Sequence, residues 1–256
     1  MKYSFSFAEW KNSGSMIRAS VYSAARKQAP WVILCPGFTS HRIGPKYFYV
    51  SIARHLAENG ISAITFDFSG TGESDGLFSD ITVSSLVSDL VSTVHFVNKR
   101  YTPQKIIALG HSFGGTIAAL ASQKASFDGL ILISPLADVA KHAGEHEHIV
   151  KRGVNSAGFY EFGPHEMNIG FLDGFRKCDP VAALAHGFRG KIVLLQGDND
   201  NQISIDESKA YTVMAEKNGI SCAYHLVRNG DHRFSNVQSR AFIQQTIVTW
   251  IKEHVS

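Results

Sequence analysis

Short apolar runs alternating with helical patterns constrain this chain more than any other feature. Trp31 to Cys35, Ile61 to Phe66, Lys105 to Leu109, Gly129 to Ile133, Ile192 to Leu195 and Cys222 to Val227 read as strands. Between and after them, Tyr47 to Asn59, Thr82 to Asn98, Phe113 to Gln123, a stretch around Glu207 to Glu216, and Ala241 to Glu253 read as helices, the first closed by Gly60. Continuous apolar strands separated by helices imply an α/β fold with a mostly parallel sheet covered on both faces. Tyr3 to Phe7 and Met16 to Ser23 alternate instead, which predicts an antiparallel pair at one sheet edge, turned around Asn12, Ser13 and Gly14.

One interval breaks the rhythm. Leu136 to Arg189 is too long for a plain connection, carries Gly, His and aromatic residues, and has weak periodicity. It predicts a cap inserted over the end of the sheet. The expected organisation is a core of residues 1–135 and 190–256 and a cap or lid of residues 136–189. A chain of 256 residues suits one such domain better than two independent ones.

Composition narrows the partners. Hydrophobic residues make up 44% and charged residues 18%, enough apolar mass for a large core. The net charge of +3 is spread without a Lys/Arg tract, so no nucleic-acid partner is expected. No apolar stretch reaches transmembrane length, and Met1 to Ala8 lacks the apolar region of a signal peptide, so no membrane partner is expected. Three cysteines without CxxC spacing suit free thiols in the cytoplasm. The oligomeric state is left open, a homodimer included.

The central motif is Gly110-His111-Ser112-Phe113-Gly114, followed by Gly115. A bare G-x-S-x-G is weak, and the alternative is a Gly-rich turn with an incidental serine. Here an apolar strand runs into it and a helix pattern leaves it, the setting of a nucleophile elbow. Ser112 is the candidate nucleophile. A serine hydroxyl needs a base, and His111 sits inside the elbow with its ring poorly placed to reach it. The base is expected after the last strand, at His232, and the acid after the strand before it. Asp198 and Asp200 compete there; Asp200 is favoured because it lies further into the loop, and Asp198 and Asp231 read as turn-formers. Oxyanion donors are expected at the N–H of Phe113 and the N–H of Phe38, after Pro36 (no N–H) and Gly37 (close backbone approach).

These motifs, with Phe66-Asp67-Phe68-Ser69-Gly70-Thr71-Gly72-Glu73-Ser74-Asp75-Gly76 and Gly230-Asp231-His232, resemble the α/β-hydrolase superfamily, and within it the bacterial cinnamoyl or feruloyl esterases. The resemblance spans nearly the whole chain. Its G-x-x-D spacing falls on Gly197 and Asp200, and its small lid on Gly158 to Pro164. Pro36, Ser69, Thr71 and Phe113 depart from the family's usual residues around the acyl pocket. The resemblance implies an α/β-hydrolase fold and a serine carboxylesterase for small or aryl acyl esters, working through an acyl-enzyme without a cofactor.

Tyr160 and His165 are further candidates for the substrate entrance, beside Gly37. His142, His146 and His148 invite a metal reading, but no matching distant ligand stands out, and a solvated face is favoured. Cys35 suits a buried packing thiol. The alternatives are the same triad acting on a thioester, a monoglyceride or a peptide with a free N-terminus, or a non-catalytic ligand receptor. A peptidase needs cap carboxylates for the ammonium group, and Glu145, Glu147, Glu161 and Glu166 are available.

Overall fold

A computed structural model describes residues 3–26 and 28–255, and within helix 139–150 leaves the side chain of His146 undescribed. The chain opens with β1 (Tyr3–Asn12) and β2 (Ser15–Ala24). Their connection is two residues long, and both, Ser13 at φ 50° and Gly14 at φ 93°, are left-handed, as a tight hairpin turn requires. Next come β3 (Trp31–Cys35), α1 (Phe48–Glu58), β4 (Ser62–Phe66), α2 (Val83–Tyr101), β5 (Ile106–His111), α3 (Phe113–Ala121) and β6 (Gly129–Ile133). A long interval holds α4 (Val139–Val150), the hairpin β7 (Phe159–Phe162) and β8 (His165–Asn168), α5 (Ile169–Phe175) and α6 (Pro180–Ala185). The chain closes with β9 (Lys191–Gly197), α7 (Ile205–Lys217), β10 (Cys222–Val227) and α8 (Val237–His254).

Eight strands form one sheet in the order β1-β2-β4-β3-β5-β6-β9-β10. β2 is antiparallel to β1 and β4, and the strands from β4 to β10 are parallel. β3, β4 and β6 are buried along their whole length, which is why they read as unbroken apolar runs. Alternate side chains feed two cores. Trp31, Ile33 and Cys35 meet α2 and α3, while Val32 and Leu34 meet α1 and α8. Strand order reverses at β3, with β4 on one side and β5 on the other. A crevice therefore opens at the C-terminal ends of β3 and β5, where parallel sheets bind ligands.

Element ends shift where polar caps outrank periodicity. α8 begins at Val237, earlier than its apolar pattern, because the Asn236 side chain accepts the Ser239 N–H at 2.8 Å. α2 begins after Thr82, which forms a reciprocal capping box with Ser85. The expected cap also divides. α6 packs against α3 and α7 in the helical layer beside the sheet, so the last part of residues 136–189 belongs with the core. No helix among the described residues is long and apolar enough to cross a membrane.

Candidate active site

Ser112 is the single residue between β5 and α3, with φ 55° and ψ −129°. A non-glycine residue holds such a conformation only where its surroundings over-determine it. Here the Ser112 N–H donates to the Ile133 carbonyl at 2.9 Å and its own carbonyl accepts the Gly115 N–H at 2.8 Å. A Cβ at Gly110 would strike the Gly114 carbonyl, and one at Gly114 would strike the carbonyls of Cys35 and Pro36. Both glycines are therefore steric requirements of the turn.

The loops after β9 and β10 bring two side chains to this serine. His232 Nε2 lies 3.0 Å from Ser112 Oγ, and His232 Nδ1 lies 2.9 Å from Asp200 Oδ2. A carboxylate only accepts, so the ring hydrogen sits on Nδ1 and Nε2 faces the serine hydroxyl as acceptor. The Asp200 side chain is fully buried. Its Oδ1 accepts the N–H groups of Gln202 and Ile203, both at 2.9 Å. Burial pushes this carboxyl up, but His232 and the two N–H donors outweigh it and hold Asp200 below its ordinary pKa. Asp198 is exposed at the start of the same loop. Asp231 accepts the Ser235 N–H at 2.8 Å and shapes the turn before α8.

The loop after β3 leans on the elbow. A Cβ on Gly37 would stand 3.4 Å from Ser112 Cβ. The Gly37 N–H is committed to Tyr49 Oη at 3.0 Å, so the next N–H along that loop is that of Phe38. The Phe113 N–H stands at the first turn of α3, where backbone donors lack helical partners. Cys35, directly beneath, is fully buried, and burial pushes its thiol far up, which leaves it a packing group.

A cavity of about 340 Å³ opens over Ser112. One wall is aromatic and apolar: Phe38, Phe113, Leu136, Phe162, Phe171 and Phe175. Phe38 is the hub of that wall, its ring centroid 5.3 to 5.4 Å from those of Phe113, Phe162 and Phe171. The other wall carries His142, Glu145, Asn201, Gln202 and Ile203. His142 Nε2 lies 3.2 Å from both carboxylate oxygens of Glu207. Glu207 also accepts the N–H groups of Ala137 and Asp138 at 3.0 and 3.1 Å, clamping the start of the cap to α7. Burial opposes the charge on each, but their mutual hydrogen bond wins: His142 is raised and Glu207 lowered from their ordinary values.

Two substrate-entrance candidates fall elsewhere. Tyr160 is 2% exposed, contacts Met167 Sδ at 3.7 Å, and borders a separate cavity with Arg152, Glu161 and Glu166. His165 stacks on Phe78 at 4.2 Å. The hairpin reaches the Ser112 cavity through Phe162, the cross-strand partner of His165. Of the four cap carboxylates, Glu145 borders the cavity, Glu147 pairs with Arg176 at 2.6 Å, and Glu161 and Glu166 line the separate one. The metal reading involved His146, whose side chain is outside those described; His142 is engaged by Glu207. The sequence reading missed Phe171, Phe175 and Glu207, and its solvated face does not hold for His142, which is buried against Glu207 at the cavity wall. The four-residue spacing of Phe171 and Phe175, one face of a helix, was the signal available.

Residues 26–157 match the family model described as Serine aminopeptidase, S33. Monoglyceride lipase of Rattus norvegicus is 37% identical over 105 residues, 39% of this chain and 34% of that protein. The match thus spans about a third of that relative's length. A monoglyceride lipase homolog of Monkeypox virus is 27% identical over 254 residues, 85% of this chain and 89% of that protein. Among solved structures, ferulic acid-bound Est1E from Butyrivibrio proteoclasticus superposes with a TM-score of 0.84 at 18% identity, covering 97% of this chain and 99% of that one. At that identity the likeness is one of fold.

Proposed function

The chain belongs to the α/β-hydrolase family described as Serine aminopeptidase, S33, and from that premise we propose a serine carboxylesterase whose nucleophile is Ser112. The observation that carries the reading is the continuous path from Asp200 through His232 to Ser112, at 2.9 and 3.0 Å, opening onto an aromatic-walled cavity. In this reading Ser112 Oγ attacks the ester carbonyl carbon and its proton passes to His232 Nε2. Asp200 holds the ring orientation and stabilises the imidazolium. The N–H groups of Phe38 and Phe113 receive the oxyanion, each worth about 3 to 4 kcal/mol. The imidazolium then protonates the departing alcohol oxygen as the carbon–oxygen bond breaks. Water attacks the acyl-enzyme, gives its proton to His232, and the acid leaves as Ser112 regains a proton. No step requires a cofactor.

The cavity supports a small or aryl acyl group. Its 340 Å³ lies near the lower end of small-molecule sites, and phenyl rings form its apolar wall. Residues 136–175 act as the cap that completes this wall. A monoacylglycerol is the second reading: Asn201, Gln202 and Glu145 offer hydrogen bonds to glycerol hydroxyls, and the Rattus norvegicus relative carries the monoglyceride lipase name. The free-amine peptide reading has weaker support, since one of its four expected carboxylates borders the cavity.

The test is release of p-nitrophenol from short-chain esters beside hydrolysis of methyl ferulate and of a monoacylglycerol, by wild type and Ser112→Ala. Turnover by the wild type that the variant lacks supports the serine-esterase reading, and the substrate ratios rank the acyl groups. Equal activity of both proteins rules out Ser112 as the nucleophile.

A further inference from the structure

His111 contacts two loops of the site, yet takes no part in the proton transfers above. Its ring is 4% exposed, between Phe48 and Phe234. Nε2 is 2.8 Å from the backbone carbonyl of His232, and Nδ1 is 3.0 Å from Tyr49 Oη. Tyr49, fully buried on α1, accepts the Gly37 N–H at 3.0 Å. Donor and acceptor capacity assigns the hydrogens in one way. A carbonyl only accepts, so His111 Nε2 carries the ring hydrogen. Nδ1 of the neutral ring is then an acceptor, and the Tyr49 hydroxyl donates to it. The Gly37 N–H in turn occupies a lone pair of the Tyr49 oxygen. Burial, reinforced by the neighbouring His232, holds this ring neutral and pushes its pKa down to about 3.

We propose that Tyr49 and His111 are positioning residues, a buried relay that ties the backbone of the Gly37–Phe38 loop to the backbone of His232. The proposal rests on the esterase reading in one respect: what it positions is an oxyanion donor and the general base. The relay moves no proton, since its members are neutral and each hydrogen already has its acceptor. Its work is spacing. One end stands at the residue before Phe38, the other at the carbonyl of the base itself, so both reacting partners of Ser112 are referenced to the elbow residue beside it.

Tyr49→Phe removes one oxygen and keeps the ring. The relay predicts a fall in kcat of about tenfold or more on p-nitrophenyl butyrate, with KM within about twofold and little change in Tm. His111→Phe removes both nitrogens from a site already flanked by rings. Either variant cuts the same connection, so the double variant should lose no more than the worse single one. A kcat near wild type in Tyr49→Phe, or losses that multiply in the double variant, would overturn the relay. Nitrogen NMR of 15N-histidine-labelled protein gives a readout free of substrate. His111 should stay neutral with hydrogen on Nε2 between about pH 5 and 8, and its Nδ1 resonance should move in Tyr49→Phe. A titrating ring, or one protonated on Nδ1, counts against the proposal. Should the wild type turn over no ester, the esterase reading fails by itself. The NMR result and the rate at which a fluorophosphonate labels Ser112 then decide the relay: slower labelling in Tyr49→Phe supports it, and equal rates overturn it.

Discussion

The sheet edge and the cap meet over Ser112, and they are built on different principles. At the edge, backbone geometry dictates position. A strand, a left-handed residue and a helix N-terminus place Ser112, and the loops after β9 and β10 deliver Asp200 and His232 to it. In the cap, side-chain packing dictates position. Phe162, Phe171 and Phe175 come from a hairpin and a short helix, and they reach the cavity through ring contacts: Phe162 edge-on and Phe171 stacked against Phe38, Phe175 against Phe113 and Phe171. Where the backbone sets geometry, a residue is bound to its role. Where packing sets it, neighbours can exchange roles, as Phe162 does with Tyr160 and His165.

On the proposed function, the contrast predicts that changes at the edge cost turnover and that changes in the cap alter substrate preference. Ser112→Ala has the largest expected effect: hydrolysis falls by about 10⁴-fold or more, while Tm stays near wild type because the methyl group still fits the turn. Asp200→Asn comes next, with kcat lowered by about 10³ to 10⁴-fold, whereas the exposed Asp198→Asn stays within about threefold. Similar losses from both would mean that the loop tolerates an exchange of acids, and the edge would lose its special standing. Phe171→Ala is the cap counterpart. KM for methyl ferulate should rise about tenfold, the equivalent of roughly 1 to 2 kcal/mol, while p-nitrophenyl acetate changes little. A uniform drop in kcat for both esters would instead make the cap part of the catalytic frame.

The smallest effect concerns how the cap is held. The raised pKa of His142 means that its bond to Glu207 contributes stability in full below the unfolded value of 6.5 and loses that contribution as pH rises through the folded one. Glu207, with a lowered pKa, contributes above its unfolded 4.5 and loses that contribution as pH falls through its folded value. The Tm gap between wild type and Glu207→Gln should therefore be widest in mildly acidic solution and narrow towards both alkaline and strongly acidic pH. A gap independent of pH would show that Glu207 acts through its bonds to Ala137 and Asp138 alone.

Much of the edge was legible before any coordinates. Trp31–Cys35, Gly129–Ile133 and Cys222–Val227 match the observed strands residue for residue. β3 and β6 are buried throughout and so read as apolar runs, while β10, the half-buried last strand of the sheet, reads as a strand from its short apolar-rich stretch before Arg228-Asn229-Gly230. The cap resisted because its elements are short and its periodicity weak. Nothing local distinguishes Tyr160, which turns to Met167, from Phe162, which turns to Phe38. His142 and Glu207 lie 65 positions apart, on two helices that meet only when α7 has docked beside the start of the cap.

Strand rhythm, the glycines around Ser112 and the order of serine, acid and histidine are properties of the chain read locally, because sterics and hydrogen-bond satisfaction act over a few residues. They suffice for the fold and for the expected reacting groups. The cavity wall, the His142–Glu207 clamp and the Tyr49–His111 relay exist only after folding, because each joins residues from separate elements. Their contacts depend on the distance and angle at which whole helices and loops come to rest, and no short stretch of sequence carries that information.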